Sequence, residues 1–221
     1  MVFDVAQNPQ QPTFVGAIAN GFDHSINDIV IDGAYAYLAI KPGSGATGSG
    51  TNELMILDIK GQTPIDTKKG YNANRASGDT AGATALYLLD KTLYMGRERS
   101  SNTSKHDFYV FDMASQTKPT VIKSQNLGIA TGGGMKPAVT DVVVQGRLGF
   151  IATTDPIQSL RVYDMYSSLT SIVPVQQKCP SYVTLQRLLK IEYAMDRLYV
   201  LHGNGATVSI IHDNPTICPI P

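Results

Sequence analysis

The sequence predicts an all-β fold assembled from repeated four-stranded antiparallel units, and three observations carry that reading. An apolar strand closed by an aspartate recurs as MVFDV at residues 1–5, LMILDI at 54–59, FYVFDM at 108–113 and LRVYDM at 160–165. The aspartates Asp4, Asp58, Asp112 and Asp164 lie 54, 54 and 52 residues apart. Between these marks runs a second series of paired apolar runs, and the composition, with 20 Gly and 12 Pro, favours many turns over long helices.

Each element follows from its residues. The second series reads DIVIDGAYAYLAI (28–40), ALYLLDKTLYMG (85–96), DVVVQGRLGFIAT (141–153) and LKIEYAMDRLYVL (189–201). Each is two β-branched or aromatic runs pinched by a polar pair: Asp32-Gly33, Asp90-Lys91, Gln145-Gly146 and Met195-Asp196. The glycines suit hairpin turns because they reach positive φ without a Cβ clash. The aspartate strand comes next, then a polar segment that usually holds a proline, then another short extended run, as in GQTPIDTKKGY and SQTKPTVIKSQ. That makes four strands per period. A small twisted sheet buries both faces only when neighbours stack on it, so a four-stranded unit at this period predicts a β-propeller with four blades in view, or part of a larger one.

The pairing of IVIDGAYAYLA with LMILDIKGQTP, and its recurrence in MVFDVAQNPQQP and FYVFDMASQTKP, resembles the LVIVD repeat of bacterial and archaeal β-propellers across nearly the whole chain. Toward the C-terminus the pattern decays. LRVYDMYSSLTS lacks the proline, and VSIIHDNP carries His212 where the aspartate is due. The resemblance implies a propeller commonly found in secreted or cell-surface prokaryotic proteins, with no general enzymatic activity attached to the repeat.

The chain is expected to be one propeller domain over 1–221, with a partial unit near 1–20 and further units near 26–77, 84–128, 139–178 and 188–214. The pattern contains seventeen strands, one more than four blades need. Either the N-terminal strands complete the last blade and close a ring of four, or the array is part of a longer one. The sequence favours the second, because Met1 falls inside a repeat strand with no capping segment before it.

Charge argues against nucleic acid as a partner. Eighteen basic residues balance eighteen acidic ones, and a phosphate-binding surface needs clustered Lys and Arg. Lys68-Lys69 and Arg97-Glu98-Arg99 read as solvated loop charge. No run has the roughly 20 apolar residues that span a bilayer.

Functional candidates are few. A carboxylate closing a buried strand accepts N–H groups of the following turn, so Asp4, Asp58, Asp112 and Asp164 are expected to be structural, with repeated cation binding as the alternative. Asp28 and Asp141 occupy equal positions at the starts of inner strands. Were they to meet on the axis beside His24, they would be weak metal-ligand candidates. His24, His106, His202 and His212 show no metal-binding spacing, and no nucleophile motif, phosphate loop or cofactor signature is present. Cys179 and Cys218 could close a 39-residue loop as a disulfide, which would imply an oxidising compartment, or stay as free thiols. The tyrosine series Tyr35, Tyr37, Tyr87, Tyr94, Tyr109, Tyr163, Tyr193 and Tyr199 reads as inter-blade core. The long Gly- and Ser-rich segments 41–52 and 97–107 are the places to hold a protein or glycan partner. The function expected is therefore a non-catalytic interaction module, extracytoplasmic and without cofactor. The rival is a lyase, lactonase or glycosidase working in the central funnel.

Overall fold

The computed structural model describes residues 2–4, 9–11, 13–16, 24–42, 52–60, 70–73, 80–100, 105–129, 137–168, 170–175, 187–203 and 207–212. These residues are all β, turn or irregular, and they form the small antiparallel sheets of a four-bladed β-propeller, as the sequence predicts.

Blade one consists of β3 (His24–Asp32), β4 (Tyr35–Pro42), β5 (Leu54–Asp58) and β6 (Gly70–Tyr71). Blade two is β7 (Ala83–Leu89), β8 (Thr92–Arg97), β9 (Phe108–Asp112) and β10 (Thr120–Gln125). Blade three is β11 (Val139–Gln145), β12 (Leu148–Thr153), β13 (Leu160–Asp164) and β14 (Val173–Pro174). Blade four is β15 (Leu188–Ala194), β16 (Arg197–His202) and β17 (Val208–His212). Within each blade the strands pair in chain order, from an innermost first strand outward. Ahead of the blades, β1 (Val2–Asp4) and β2 (Thr13–Gly16) pair with each other as a separate two-stranded sheet. Among the described residues the strand count matches the sequence, but the third place in blade four is held by β17 rather than by the N-terminal strand.

Stacking of blades makes the core. Tyr37, Ala39, Leu54 and Ile56 of blade one pack with Leu86, Leu93, Met95 and Phe111 of blade two. Tyr94, Phe108 and Val110 of blade two meet Val142, Val144, Ile151 and Tyr163 of blade three. Val143, Ala152 and Leu160 then meet Ile191, Leu198 and Val200 of blade four. Each buried Val, Leu, Ile, Phe or Met among them contributes roughly 1.5–3 kcal/mol by leaving water. Of the tyrosines, Tyr37, Tyr94, Tyr109 and Tyr163 are buried in these seams, and Phe150 stacks on Tyr193 at 6.1 Å. The approach of blades two and three depends on a missing side chain, because a Cβ on Gly96 would fall 2.3 Å from Val139 Cγ1.

The hairpin turns sit one residue later than the sequence suggests in two cases. Gly33-Ala34 and Gly146-Arg147 are the loop residues, with Asp32 and Gln145 still paired in the ladders. Positive φ falls on Gly33, Asp90 and Gly146, and on both Met195 and Asp196 in the last blade. Met195 has φ 51° and is 89% exposed, so its side chain gains nothing from packing that would offset the left-handed backbone. Met195→Gly is expected to stabilise the protein by about 0.5–1 kcal/mol, the left-handed penalty less the added entropy of the unfolded chain. A thermal melt should move up by about 2 °C.

Candidate functional site

Residues reach the propeller axis through a repeated irregularity. Every first strand carries a bulge, with register shifts at Ile26/Asp28, Ala83/Ala85, Val139/Asp141 and Leu188/Lys190. An extra residue on one strand re-aims the side chain beside it. The bulged residues are Asn27, Thr84, Thr140 and Leu189, and the residues that follow are Asp28, Ala85, Asp141 and Lys190. Asn27 Nδ2 donates to Ala83 O at 2.7 Å and Thr84 Oγ1 to Val139 O at 2.5 Å, so in blades one and two the bulge side chain clamps the next blade.

The two carboxylates do the same. Asp28 Oδ2 accepts the Leu86 N–H at 2.8 Å and its Oδ1 the Ile29 N–H at 2.9 Å. Asp141 Oδ2 accepts the Ile191 N–H at 2.7 Å, and its Oδ1 accepts from Lys190 Nζ at 3.1 Å. Lys190 Nζ also stands 3.9 Å from Asp28 Oδ2, so one ammonium lies between carboxylates of opposite blades. Burial pushes the Asp141 carboxyl above its ordinary range, while the Ile191 amide and the Lys190 ammonium pull it back. Asp28 and Asp141 thus lie at the axis, each joined to the backbone of the following blade. The side chain of His24 lies outside the described residues, and among the described residues no three His, Cys, Asp or Glu side chains gather as metal ligands.

At the opposite ends of the strands the repeat aspartates hold turns. Asp58 Oδ1 accepts the Lys60 N–H at 3.0 Å, Asp112 Oδ1 that of Ala114 at 2.8 Å, and Asp164 Oδ1 those of Tyr166 and Ser167 at 2.9 Å. Arg147 Nη2 adds a 2.6 Å bond to Asp164 Oδ2. Only the backbone of Asp4 is described, in a pair with Thr13. These turns and the hairpins form the lower rim.

The upper rim holds a polar layer that the sequence reading missed. Four equivalent backbone bonds mark it: Ile40 N to Glu53 O at 2.8 Å, Arg97 N to Asp107 O at 2.9 Å, Thr153 N to Ser159 O at 2.7 Å and His202 N to Thr207 O at 3.0 Å. Arg97 is the correction. It was expected in a solvated loop, yet it ends β8 fully buried, with Nε 2.5 Å from Glu53 Oε2 and Nη2 2.8 Å from Glu53 Oε1 in the preceding blade. Its Nη1 donates to His106 O at 2.7 Å, and the guanidinium lies 5.8 Å from the centre of the Tyr109 ring. Glu98 is buried too and meets Lys41 at 2.5 Å. The available signal was register: the sixth residue after the Asp90-Lys91 turn is still strand, as Thr153 is after Gly146-Arg147.

Asp107 is the blade-two equivalent of Glu53, but the place of Arg97 in blade three is taken by Thr153. Asp107 Oδ1 accepts the Leu127 N–H at 2.7 Å, whereas its buried Oδ2 has no hydrogen-bond partner among the described residues. Burial drives this carboxyl upward against the pull of the Leu127 amide and of Arg161 and Arg99. Arg161 is itself committed to Asp155 at 2.7 Å, and His202 Nε2 lies 2.8 Å from Ser209 Oγ. Cys179, Cys218 and the loop residues 43–51 and 101–104 lie outside the described residues.

The class these features define is a four-bladed propeller with an axis lined by blade-to-blade clamps. Comparison with solved structures agrees on the fold. The chain is similar to the crystal structure of the computationally designed Ika8 protein, at 13% identity and a TM-score of 0.50, over 85% of this chain and 46% of that one. It is similar to the computationally designed Ika4 protein at 13% identity and a TM-score of 0.50, over 88% of this chain and 95% of that one. The AfRom2 CNH domain aligns at 15% identity with a TM-score of 0.31, over 89% of this chain and 58% of that one. The chain thus spans about half the length of Ika8. No family model and no curated protein matches it.

Proposed function

We propose that the chain is a non-catalytic binding module, an LVIVD-type propeller of a secreted or cell-surface prokaryotic protein that holds a protein or glycan partner on its upper rim. The observation that carries this reading is the use made of the axial charges: Asp28, Asp141 and Lys190 are tied to one another and to neighbouring backbone, joining blades together. The ion pairs beneath the upper rim, Arg97 with Glu53 and Arg161 with Asp155, likewise brace the scaffold. The long variable segments 43–51 and 101–104 connect strands at that rim, where a rigid scaffold presents loops to partners.

An array of bacterial and host surface glycans, with a parallel panel of immobilised surface proteins, tests the reading. Retention on at least one of them should fall tenfold or more on deleting residues 45–50 or replacing 101–104 by glycine, and should survive Asp28→Asn. Turnover of a lactone, a glycoside or an unsaturated uronide that disappears in Asp28→Asn would instead establish the funnel as catalytic.

A further inference from the structure

Two strands of the chain are built for one place. In blades one to three the third strand ends in the turn aspartate, and a fourth strand, β6, β10 or β14, lies outside it. β1 carries the full third-strand text with Asp4, and β2 pairs with it as a fourth strand should. Asp4 stands opposite Thr13 as Asp112 stands opposite Thr120. Yet the third place in blade four belongs to β17, the degenerate VSIIH strand that ends in His212, and among the described residues blade four has no fourth strand.

The seams register the mismatch. Val208 and Ile210 of β17 are 59% and 52% exposed, whereas their equivalents Leu54, Ile56, Phe108, Val110 and Leu160 are buried. On the facing side of blade one, Ile29 and Ile31 are 52% and 62% exposed, although Leu86, Val142 and Ile191, the counterparts of Ile29, are buried against the preceding blade. At the axis the two blades already touch, through Lys190 and Asp28 at 3.9 Å.

We propose that β17 and the β1–β2 pair are alternative partners for the same edge of β16, and that the ring closes when β1–β2 takes the place of β17. In the register that β17 now uses, Arg197 opposite His212 and Tyr199 opposite Ile210, β1 sets Asp4 opposite Arg197, Phe3 opposite Leu198 and Val2 opposite Tyr199. A charge pair of opposite sign replaces Arg197 with His212. β2 becomes the missing fourth strand, and β15–β16 seats against Ile29 and Ile31 as β3–β4 seats against Leu86. The connection allows it within one molecule. Seven residues, 17–23, join β2 to β3 and reach about 23 Å extended, against about 14 Å across four strands. The exchange turns β17 and the chain beyond it into a releasable strand.

Engineered disulfides separate the two states. With Cys179 and Cys218 replaced by serine, Tyr199→Cys is combined either with Val2→Cys, which reports β1 on β16, or with Ile210→Cys, which reports β17. Both are equilibrated in a glutathione redox buffer and read by alkylation, intact mass and non-reducing electrophoresis. The 2–199 pair is expected to close within the monomer, and adding Ile210→Pro, which breaks the β17 ladder, should raise its yield severalfold while the far-ultraviolet spectrum stays that of a folded β protein. Free thiols at 2 and 199 beside complete closure of 199–210 would overturn the proposal. So would a 2–199 link formed only between two chains, or unfolding by Ile210→Pro.

Discussion

Arg97→Met is expected to lower the unfolding free energy by about 3–5 kcal/mol, the cost of leaving one partner of a buried ion pair uncompensated. The guanidinium and the Glu53 carboxylate are both fully buried, and three guanidinium bonds, two to Glu53 and one to His106 O, tie β8 of blade two to the strand entry of blade one and to its own blade. Removing the cation leaves the Glu53 carboxylate buried beside the packed rings of Tyr109, Tyr71 and Phe111 without its guanidinium. The double variant Glu53→Leu with Arg97→Met should recover most of the loss, because two desolvated charges are exchanged for apolar volume. Urea titration of the two single variants and the double one, read as a cycle, measures the coupling directly. A double variant whose loss equals the sum of the two single losses would mean that the pair carries no interaction energy.

Asp141→Ala should cost about 1–3 kcal/mol, chiefly because it leaves the buried Ile191 N–H without its Asp141 acceptor. The Lys190 contact adds little, since that side chain is more than half exposed. Asp141→Asn keeps an acceptor and should cost less. It also isolates a pH effect. Burial raises the folded carboxyl above its ordinary value of 3.8, so the folded protein holds this proton to a higher pH than the unfolded chain does. The contribution of proton retention is complete below that value and is lost as pH rises through the folded value. Urea midpoints of wild type minus Asp141→Asn should therefore fall as pH climbs from about 4 toward neutrality. Asp107 shifts in the same direction, and it stays unchanged in the variant and cancels from the difference. A difference that grows with pH would mean that Lys190 and the Ile191 amide outweigh burial.

The architecture was legible because it rests on period. LMILD, FYVFD and LRVYD announce third strands by composition alone, and the paired runs before them need only a turn that Gly33 or Gly146 can make. What the blades do to one another was not legible, because it depends on which residues of units some 55 apart in sequence meet across a seam. Asp28 and Asp141 could be picked out as equivalent positions, but the donors they accept from, the Leu86 and Ile191 N–H groups, follow from a bulge that no residue type signals; Asn27, Thr84, Thr140 and Leu189 have little in common. Arg97 was misread because a charged triplet between a strand and a serine-rich loop looks solvated. Only its partner Glu53, alone before LMILD, explains why a charge ends a buried strand.

The seams are unequal, and that inequality has a mechanical meaning. Blades one and two are riveted by Arg97, Glu53, Lys41 and Glu98, and blades three and four by Asp141 and Lys190. Among the described residues, blades four and one meet at the axis in a long 3.9 Å contact of Lys190 with Asp28, between apolar strands left half bare. Amide protection should be least in β17 and β3 and greatest around β8 and β9, because local opening begins where the fewest buried contacts resist it. The ring behaves as a clasp rather than a hoop: load applied to it is relieved at one gap, while the other three seams keep their shape.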